Sequence, residues 1–132
     1  MADSFPYLLR RMPPFPGALV TVSWGPNQEQ CPALIDTGAD STFIPSWLVG
    51  ALHLRQLSDE VDVSGPHVRD AEIQRLYVAN LAFLGLTLDA HPVVPFHYYD
   101  EILIGRDIIN DWVLTLDGPN RSFSIRLDNP SA

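Results

Sequence analysis

The residues best suited to carry chemistry lie in one short stretch, residues 33–42, with the sequence ALIDTGADST. Consecutive apolar residues lead into Asp36, which predicts that this acid stands at the end of a strand buried on both faces. An ionised carboxylate is costly there unless it is solvated or shares a proton or hydrogen bond. Thr37 adds a hydroxyl group, and Gly38 lets the backbone lie against a ligand or a second chain. The stretch is therefore a candidate acid site, although the same residue types are also common in ordinary turns.

A second run, residues 102–109 with the sequence ILIGRDII, has the same shape. Apolar residues lead into Gly105, and Arg106 and Asp107 follow before two further isoleucines. The two runs in this order resemble the two characteristic segments of the retropepsin-like, retroviral-type aspartic proteases. The resemblance extends over roughly residues 17–127.

The resemblance implies an all-β, closed retropepsin-like fold with a flap hairpin and one short helix on the C-terminal side. It also implies an endopeptidase without a cofactor, in which a water molecule lies between two carboxylates that share one proton. The sequence contains one Asp-Thr-Gly and no Asp-Ser-Gly. If the chain is active, two copies must therefore each supply Asp36, and the site exists only in a homodimer.

The family's site residues are carried over position by position. Thr37 would brace the two loops across the twofold axis, and Gly38 would present its backbone to the polypeptide substrate and the water. Ala39 keeps the active-site loop small. Asp40 would accept hydrogen bonds from Arg106 in a structural ion pair of fixed geometry. The alternative for this last pair is two solvated charges that contribute little.

The residues from Val61 to Val78 alternate between apolar and polar types on both sides of a turn at 64–67. This pattern predicts a β-hairpin with its tip near Gly65. The resemblance implies a flap that carries Ser64, Gly65 and Pro66, and an ordinary surface hairpin is the alternative. An extended peptide would add as a strand beneath it. Four aliphatic residues are expected to line apolar substrate pockets: Val63, Val93, Val94 and Ile104.

Length and composition limit the possible functions. The chain has 132 residues, 46% of them hydrophobic and 18% charged, which predicts one globular domain. A formal charge of −8 argues against nucleic acid and an anionic membrane surface as partners. No apolar run is long enough to span a bilayer, and the N-terminal residues lack a secretory pattern. A cytoplasmic location is the simplest expectation, with the lone Cys31 as a packed thiol.

The chain is expected to comprise a proline-rich arm at residues 1–16 and, as the resemblance implies, a retropepsin-like protease domain at residues 17–132. The arm is expected to be extended and to pack its aromatic rings on the body or on a partner, with a frayed terminus as the alternative. Within the domain, a brief helix capped by Ser46 is expected to end at Leu52, and a second to span Asp107 to Trp112. Leu52, Leu54 and Leu57 are expected in the core.

Three other functions are each suggested by some feature of the sequence. A metal site could use His91, His97, Asp100 and Glu101, but two prolines intervene and no helical His spacing occurs, so none is expected. A dimeric module of the same fold could bind peptides or act as a scaffold without cleaving them. An aspartyl-phosphate enzyme would want a second acid two residues after Asp36, where the chain has Gly38.

Overall fold

The computed structural model describes residues 3–10, 12–65 and 68–127, and of residues 60–62, 64–65 and 68–73 it describes the backbone alone. These residues form ten strands and two short helices. The strands are β1 (Asp3–Pro6), β2 (Gly17–Trp24), β3 (Asn27–Ile35), β4 (Phe43–Pro45), β5 (Arg55–Gly65), β6 (Val68–Phe83), β7 (Leu86–Phe96), β8 (Ile102–Ile104), β9 (Trp112–Asp117) and β10 (Ser122–Leu127). The helices are α1 (Trp47–Leu52) and α2 (Arg106–Ile109).

Six strands close into a barrel in the order β2-β3-β8-β4-β7-β6, because β6 also pairs with β2. β5 lies outside this ring and pairs with β6. The alternation in β2 shows why the strands close around a core, since Val20 and Val22 are buried whereas Leu19 is exposed. Closure leaves no unpaired edge within the ring. The prediction of an all-β, closed fold is confirmed.

The predicted hairpin is formed by β5 and β6, which pair from Arg55 with Val78 to Gly65 with Val68. Its tip, residues 66–67, lies outside the described residues, and with it the predicted flap residue Pro66. The side chain of Ser64 also lies outside the described part of the chain. β5 begins well before Val61, and Leu57, expected in the core, is only half-buried because it lies on this outer strand.

The N-terminal arm packs on the body of the protein. β1 pairs antiparallel with β10, which pairs in turn with β9. The rings of Phe5 and Tyr7 lie 5.6 and 6.2 Å from that of Phe123, whose side chain is fully buried. Of the two expected positions for the arm's aromatic rings, the described chain shows the one on the body.

Both helices differ in detail from the prediction. α2 ends at Ile109, because Trp112 already pairs with Leu127 at the start of β9, so the expected helix to Trp112 is wrong. α1 begins after Ser46 as predicted, but the Ser46 hydroxyl makes no capping hydrogen bond. Instead the Ser46 N–H donates to the Phe96 carbonyl at 3.1 Å, which ties the helix start to β7. None of the described helices has the length and apolar character needed to cross a bilayer.

Cys31 lies on β3 inside the barrel and is 2% exposed. Its Sγ lies 3.4 Å from the Asp100 carbonyl, to which the thiol donates. Burial raises the pKa of the Cys31 thiol, so little thiolate is present near neutral pH. The structure thus confirms a packed thiol and disfavours a nucleophile at this position.

Candidate active site

Asp36 follows the last residue of β3 at the point where β3 and β8 run parallel. Its N–H donates to the Ile104 carbonyl at 2.9 Å, which continues the ladder of hydrogen bonds by one residue beyond the strand. One carboxylate oxygen, Oδ1, accepts the Gly38 N–H at 2.9 Å. Asp36 is half-buried, so part of the residue remains open to solvent. A Cβ atom at Gly38 would lie 3.3 Å from Oδ1 and would crowd this contact.

The residues after Asp36 form a loop that faces outward at its tip and is fixed at its base. Thr37 and Gly38 are exposed, whereas Ala39 is buried. The Ala39 N–H donates to the Asp36 carbonyl at 3.2 Å, and the Ala39 carbonyl accepts the Arg106 N–H at 2.8 Å. We call residues 36–42 the active-site loop; the start of α2 holds it by these backbone contacts.

Gly105 allows the close approach between this loop and α2. A Cβ atom at this position would lie 2.2 Å from the Ser41 carbonyl oxygen and 3.0 Å from that of Ala39. Both are backbone atoms, so they cannot move aside as a flexible side chain would. A glycine is therefore required where the two motif segments meet.

Asp40 and Arg106 form the ion pair that the sequence predicted, with Arg106 Nη2 in contact with Asp40 Oδ1. Both side chains are largely in solvent, at 83% exposed for Asp40 and 47% for Arg106. We call this pair the outer anchor of the active-site loop.

A second anchor lies inside the protein. Thr42 is the only fully buried polar side chain among the described residues. Its hydroxyl donates to Asp107 Oδ1 at 2.8 Å and accepts the Gly105 N–H at 3.2 Å, and its own N–H donates to Asp107 Oδ2 at 3.2 Å. We call this group, Thr42 with Asp107 and the Gly105 N–H, the inner anchor.

The inner anchor has a third side chain, His91 of β7, whose Nε2 lies 2.8 Å from Asp107 Oδ2. Because an ionised carboxylate only accepts hydrogen bonds, Nε2 must carry the hydrogen in this contact. In the sequence, His91 was a candidate metal ligand only, and Thr42 carried no signal of its own. The sequence feature that could have indicated this contact is Asp107, which follows Gly105 and Arg106. Its carboxylate needs a hydrogen-bond partner when the helix packs on the barrel.

No group of three or more metal-ligating side chains is placed to hold an ion in the part of the chain that the structure describes. The partner that the structure gives His91 is the carboxylate of Asp107 and not a metal-ligand cluster with His97, Asp100 and Glu101.

The expected substrate pockets need a correction. Val63, Val93, Val94 and Ile104 are all buried, between 0% and 3% exposed, and so present no surface to a peptide. Strand alternation is the physical reason, since Ile104 and Ile102 face the barrel core whereas Leu103 between them is half-buried on the other face. Leu103 pairs with Leu34 and with Phe43, and Leu34 lies on the same face of its strand as Asp36. Leu34, Leu103 and Phe43 therefore form a row across β3, β8 and β4, on the face of β3 that leads to Asp36.

Comparison with known proteins agrees with this geometry. A family model described as aspartyl protease matches residues 20–108, more than half of the chain. The matched range begins in β2 and ends in α2, so it contains the active-site loop and both of its anchors. A search of curated proteins gave no match. On the family match, the chain belongs to the aspartyl protease family of retropepsin-like type.

Proposed function

We propose that the protein is an aspartic endopeptidase that works as a homodimer, with one Asp36 from each subunit. The observation that carries the proposal is the placement of Asp36 at the end of β3, on an outward-facing loop fixed at its base to α2. Its Oδ1 is already held by Gly38 N–H at 2.9 Å, which leaves one oxygen for chemistry. The family match supports an aspartic-type hydrolase, and the single Asp-Thr-Gly supplies only half of the required pair.

The reaction follows from two such carboxylates that share one proton across a water molecule. The ionised Asp36 takes a proton from the water as the oxygen attacks the carbonyl carbon of the scissile bond. The protonated Asp36 gives its proton to the carbonyl oxygen, so a neutral tetrahedral diol forms. Return of a proton to the peptide nitrogen lets the C–N bond break and releases an acid and an amine.

The dimer would form around the exposed tips of the two active-site loops. Thr37 is exposed and next to Asp36, as a residue that braces the loops across the axis must be. β10 has both edges occupied, by β1 and β9, so it has no edge left for strand addition. Any intersubunit strand pairing by this sheet would therefore use β1 or β9. Leu116 on β9 is 53% exposed and is available to such a contact.

The substrate would be an extended polypeptide that lies between the active-site loops and the β5–β6 hairpin, which would act as the flap. Leu34, Phe43 and Leu103 would contact its side chains. The ring of Phe96 lies 5.2 Å from that of Phe43 and extends this apolar surface. We expect a preference for apolar residues next to the cleaved bond, and a peptide library cleaved mainly between charged residues would contradict this assignment.

The decisive experiment combines a peptidase assay with sedimentation for the wild type and Asp36→Asn. We expect the substitution to lower kcat by at least about a thousandfold, because it removes the group that activates the water. Below the dimer Kd the wild-type rate per subunit should rise with protein concentration. Glu29→Gln, which changes an exposed acid at the end of β3 away from Asp36, is the matched control and should remain active.

The result separates the proposal from its main alternative. If the wild type and Asp36→Asn dimerise alike and neither cleaves peptides, the fold serves as a peptide-binding or scaffolding module. Cleavage by a strictly monomeric wild type would contradict the shared site.

A further inference from the structure

The strand that carries His91 is irregular just before this residue. In the β6–β7 pair, Ala79 faces His91 and Leu81 faces Leu88, so one residue of β6, Asn80, lies opposite two residues of β7. One of these two, Ala90, has a φ of 48°, in the left-handed region that non-glycine residues rarely adopt. Its N–H donates to Asn80 Oδ1 at 2.8 Å. The Asn80 side chain thus stabilises a β-bulge at residues 89–90.

This bulge determines where His91 points. In a regular strand, residues three apart face opposite sides of the sheet. The extra residue shifts the alternation, so that His91 lines the same cavity as Leu86 and Leu88. The cavity measures about 240 Å³, and its other wall contains Asp107 and Asp111 of the α2 segment. Bulges commonly redirect one side chain in this way.

From His91 the contacts run without a gap to the active-site loop. His91 Nε2 holds Asp107 Oδ2 at 2.8 Å, and the same carboxylate holds both the hydroxyl and the N–H of Thr42. Thr42 lies at the end of the active-site loop, and its carbonyl also accepts the Val94 N–H at 3.0 Å. The side chains of His91 and Asp107 are 18% and 27% exposed, so this pair is less open to water than the outer anchor, whose side chains are 47% and 83% exposed.

We propose that His91 is a positioning residue for the protease reaction, set in place by the bulge at residues 89–90. It does not touch the substrate. It fixes the rotamer of Asp107, which fixes Thr42 and through it the end of the loop that carries Asp36. The expected effect on kcat rests on the proposed function. The bracing of the active-site loop rests only on the contacts of the inner anchor.

Loss of His91 can lower kcat because catalysis depends on placing the Asp36 carboxylate to within a fraction of an ångström. Without His91, the Asp107 carboxylate keeps its two hydrogen bonds with Thr42 but loses the third contact that restricts its rotation. We therefore expect a fall in kcat with little change in KM, since the peptide-binding surface is not touched.

The test uses two substitutions at one position and a matched control. His91→Leu removes the hydrogen bond, whereas His91→Gln keeps an N–H donor at a similar distance. His53→Gln is the control, because His53 is exposed after α1 and already has a positive φ of 54°. We expect His91→Leu to lower kcat by about tenfold with KM within about twofold of wild type, and His91→Gln to restore most of the rate.

Nuclear magnetic resonance tests whether His91 holds the active-site loop, and it does not require the protein to be active. In the wild type, ¹⁵N shifts of His91 should show the hydrogen on Nε2, and Asp107→Asn should change this pattern. In His91→Leu the amide protons of Thr42 and Gly105 should exchange faster, and in His91→Gln they should remain protected. These measurements remain valid if neither the wild type nor Asp36→Asn cleaves peptides, so failure of the protease proposal is distinguishable.

Three results would overturn the inference. One is unchanged amide exchange at Thr42 and Gly105 in His91→Leu. Another is an equal loss of kcat in His91→Leu and His91→Gln, which would indicate a packing effect. The third is a ¹⁵N pattern of His91 that does not respond to Asp107→Asn. If His91→Leu does not fold, His91→Asn replaces it, since its shorter side chain withdraws the donor without adding an apolar group.

Discussion

The active-site loop is held at two points that differ in their surroundings. The outer anchor, Asp40 with Arg106, is an ion pair between two solvated side chains. The inner anchor joins uncharged Thr42 to Asp107, and Thr42 is fully buried. The outer anchor joins two full charges, yet the surroundings make the inner anchor the more stabilising of the two.

Exposure is the physical reason for this ranking. Water competes for both ions of the outer anchor, and exposed pairs of this kind stabilise proteins by at most about 1 kcal/mol. In the inner anchor, the Thr42 hydroxyl both donates and accepts, so its loss leaves two partners without their hydrogen bonds. An unsatisfied buried polar group costs about 1–3 kcal/mol. The inner anchor, which the sequence did not reveal, should therefore contribute more to stability than the outer anchor.

The largest effect is expected where the loop and α2 touch, because a change there disturbs both anchors. Gly105→Ala places a Cβ atom 2.2 Å from the Ser41 carbonyl oxygen, so the loop must move away. We expect the free energy of unfolding to fall by about 3 kcal/mol or more, measured by urea denaturation at fixed protein concentration. Gly50→Ala in α1 is the control, since it meets no atom within 4 Å and should not destabilise. Equal stability of the two variants would show that the loop is not packed on α2.

Removal of the inner anchor alone should have the next largest effect. Thr42→Val keeps the shape of the side chain but leaves the Gly105 N–H and Asp107 Oδ1 without their partner. We expect a loss of about 2–4 kcal/mol in the free energy of unfolding, with reduced peptidase activity. Thr115→Val, at an exposed position of β9, is the matched control and should change stability by less than about 0.5 kcal/mol. A loss below that of the outer-anchor variant described below would reverse the ranking.

Partial weakening of the inner anchor should lower the stability less than its removal in Thr42→Val. Asp107→Asn retains an oxygen for the Thr42 hydroxyl but replaces Oδ2, which accepts from both the Thr42 N–H and His91. We expect a loss of about 1–2 kcal/mol, read from the same urea curves. Asp111→Asn, an exposed acid of the same segment, serves as the control. If Asp107→Asn is as stable as the wild type, the charge of this carboxylate is not needed.

The smallest effect is expected at the outer anchor. Asp40→Asn removes the charge of a side chain that is 83% exposed, so the free energy of unfolding should fall by no more than about 1 kcal/mol. The difference from wild type should shrink further at high salt, because exposed charges are screened. The effect of Thr42→Val should not depend on salt. A salt-independent loss above about 2 kcal/mol for Asp40→Asn would contradict the comparison.

The two anchors also show how far the sequence predicts the site. Asp36, Thr37, Gly38, Asp40 and Arg106 stand in two short motifs, and local order alone indicates a loop next to a helix start. The strands β2 and β8 are likewise local, since each is an apolar run with clear ends. The pockets could not be assigned in this way, because which face of β8 meets the core depends on its partners.

The β-bulge at residues 89–90 was not predictable for a related reason. Its one sequence signal is a small residue, Ala90, between Asp89 and His91, and many regular strands contain the same types. Only the pairing of β6 with β7 shows that Asn80 faces two residues. The contact of His91 with Asp107 then follows from a packing of β7 against α2 that joins residues 16 positions apart.

The sequence by itself determined the family, the closed β fold and the position of the candidate catalytic acid, because these depend on contiguous residues whose order imposes a strand, a turn and a glycine. The tertiary structure decided how that acid is held. Hydrogen bonds from Thr42 to Asp107 and from His91 to Asp107 join three separate elements, and their strength depends on burial, which exists only once the barrel has closed.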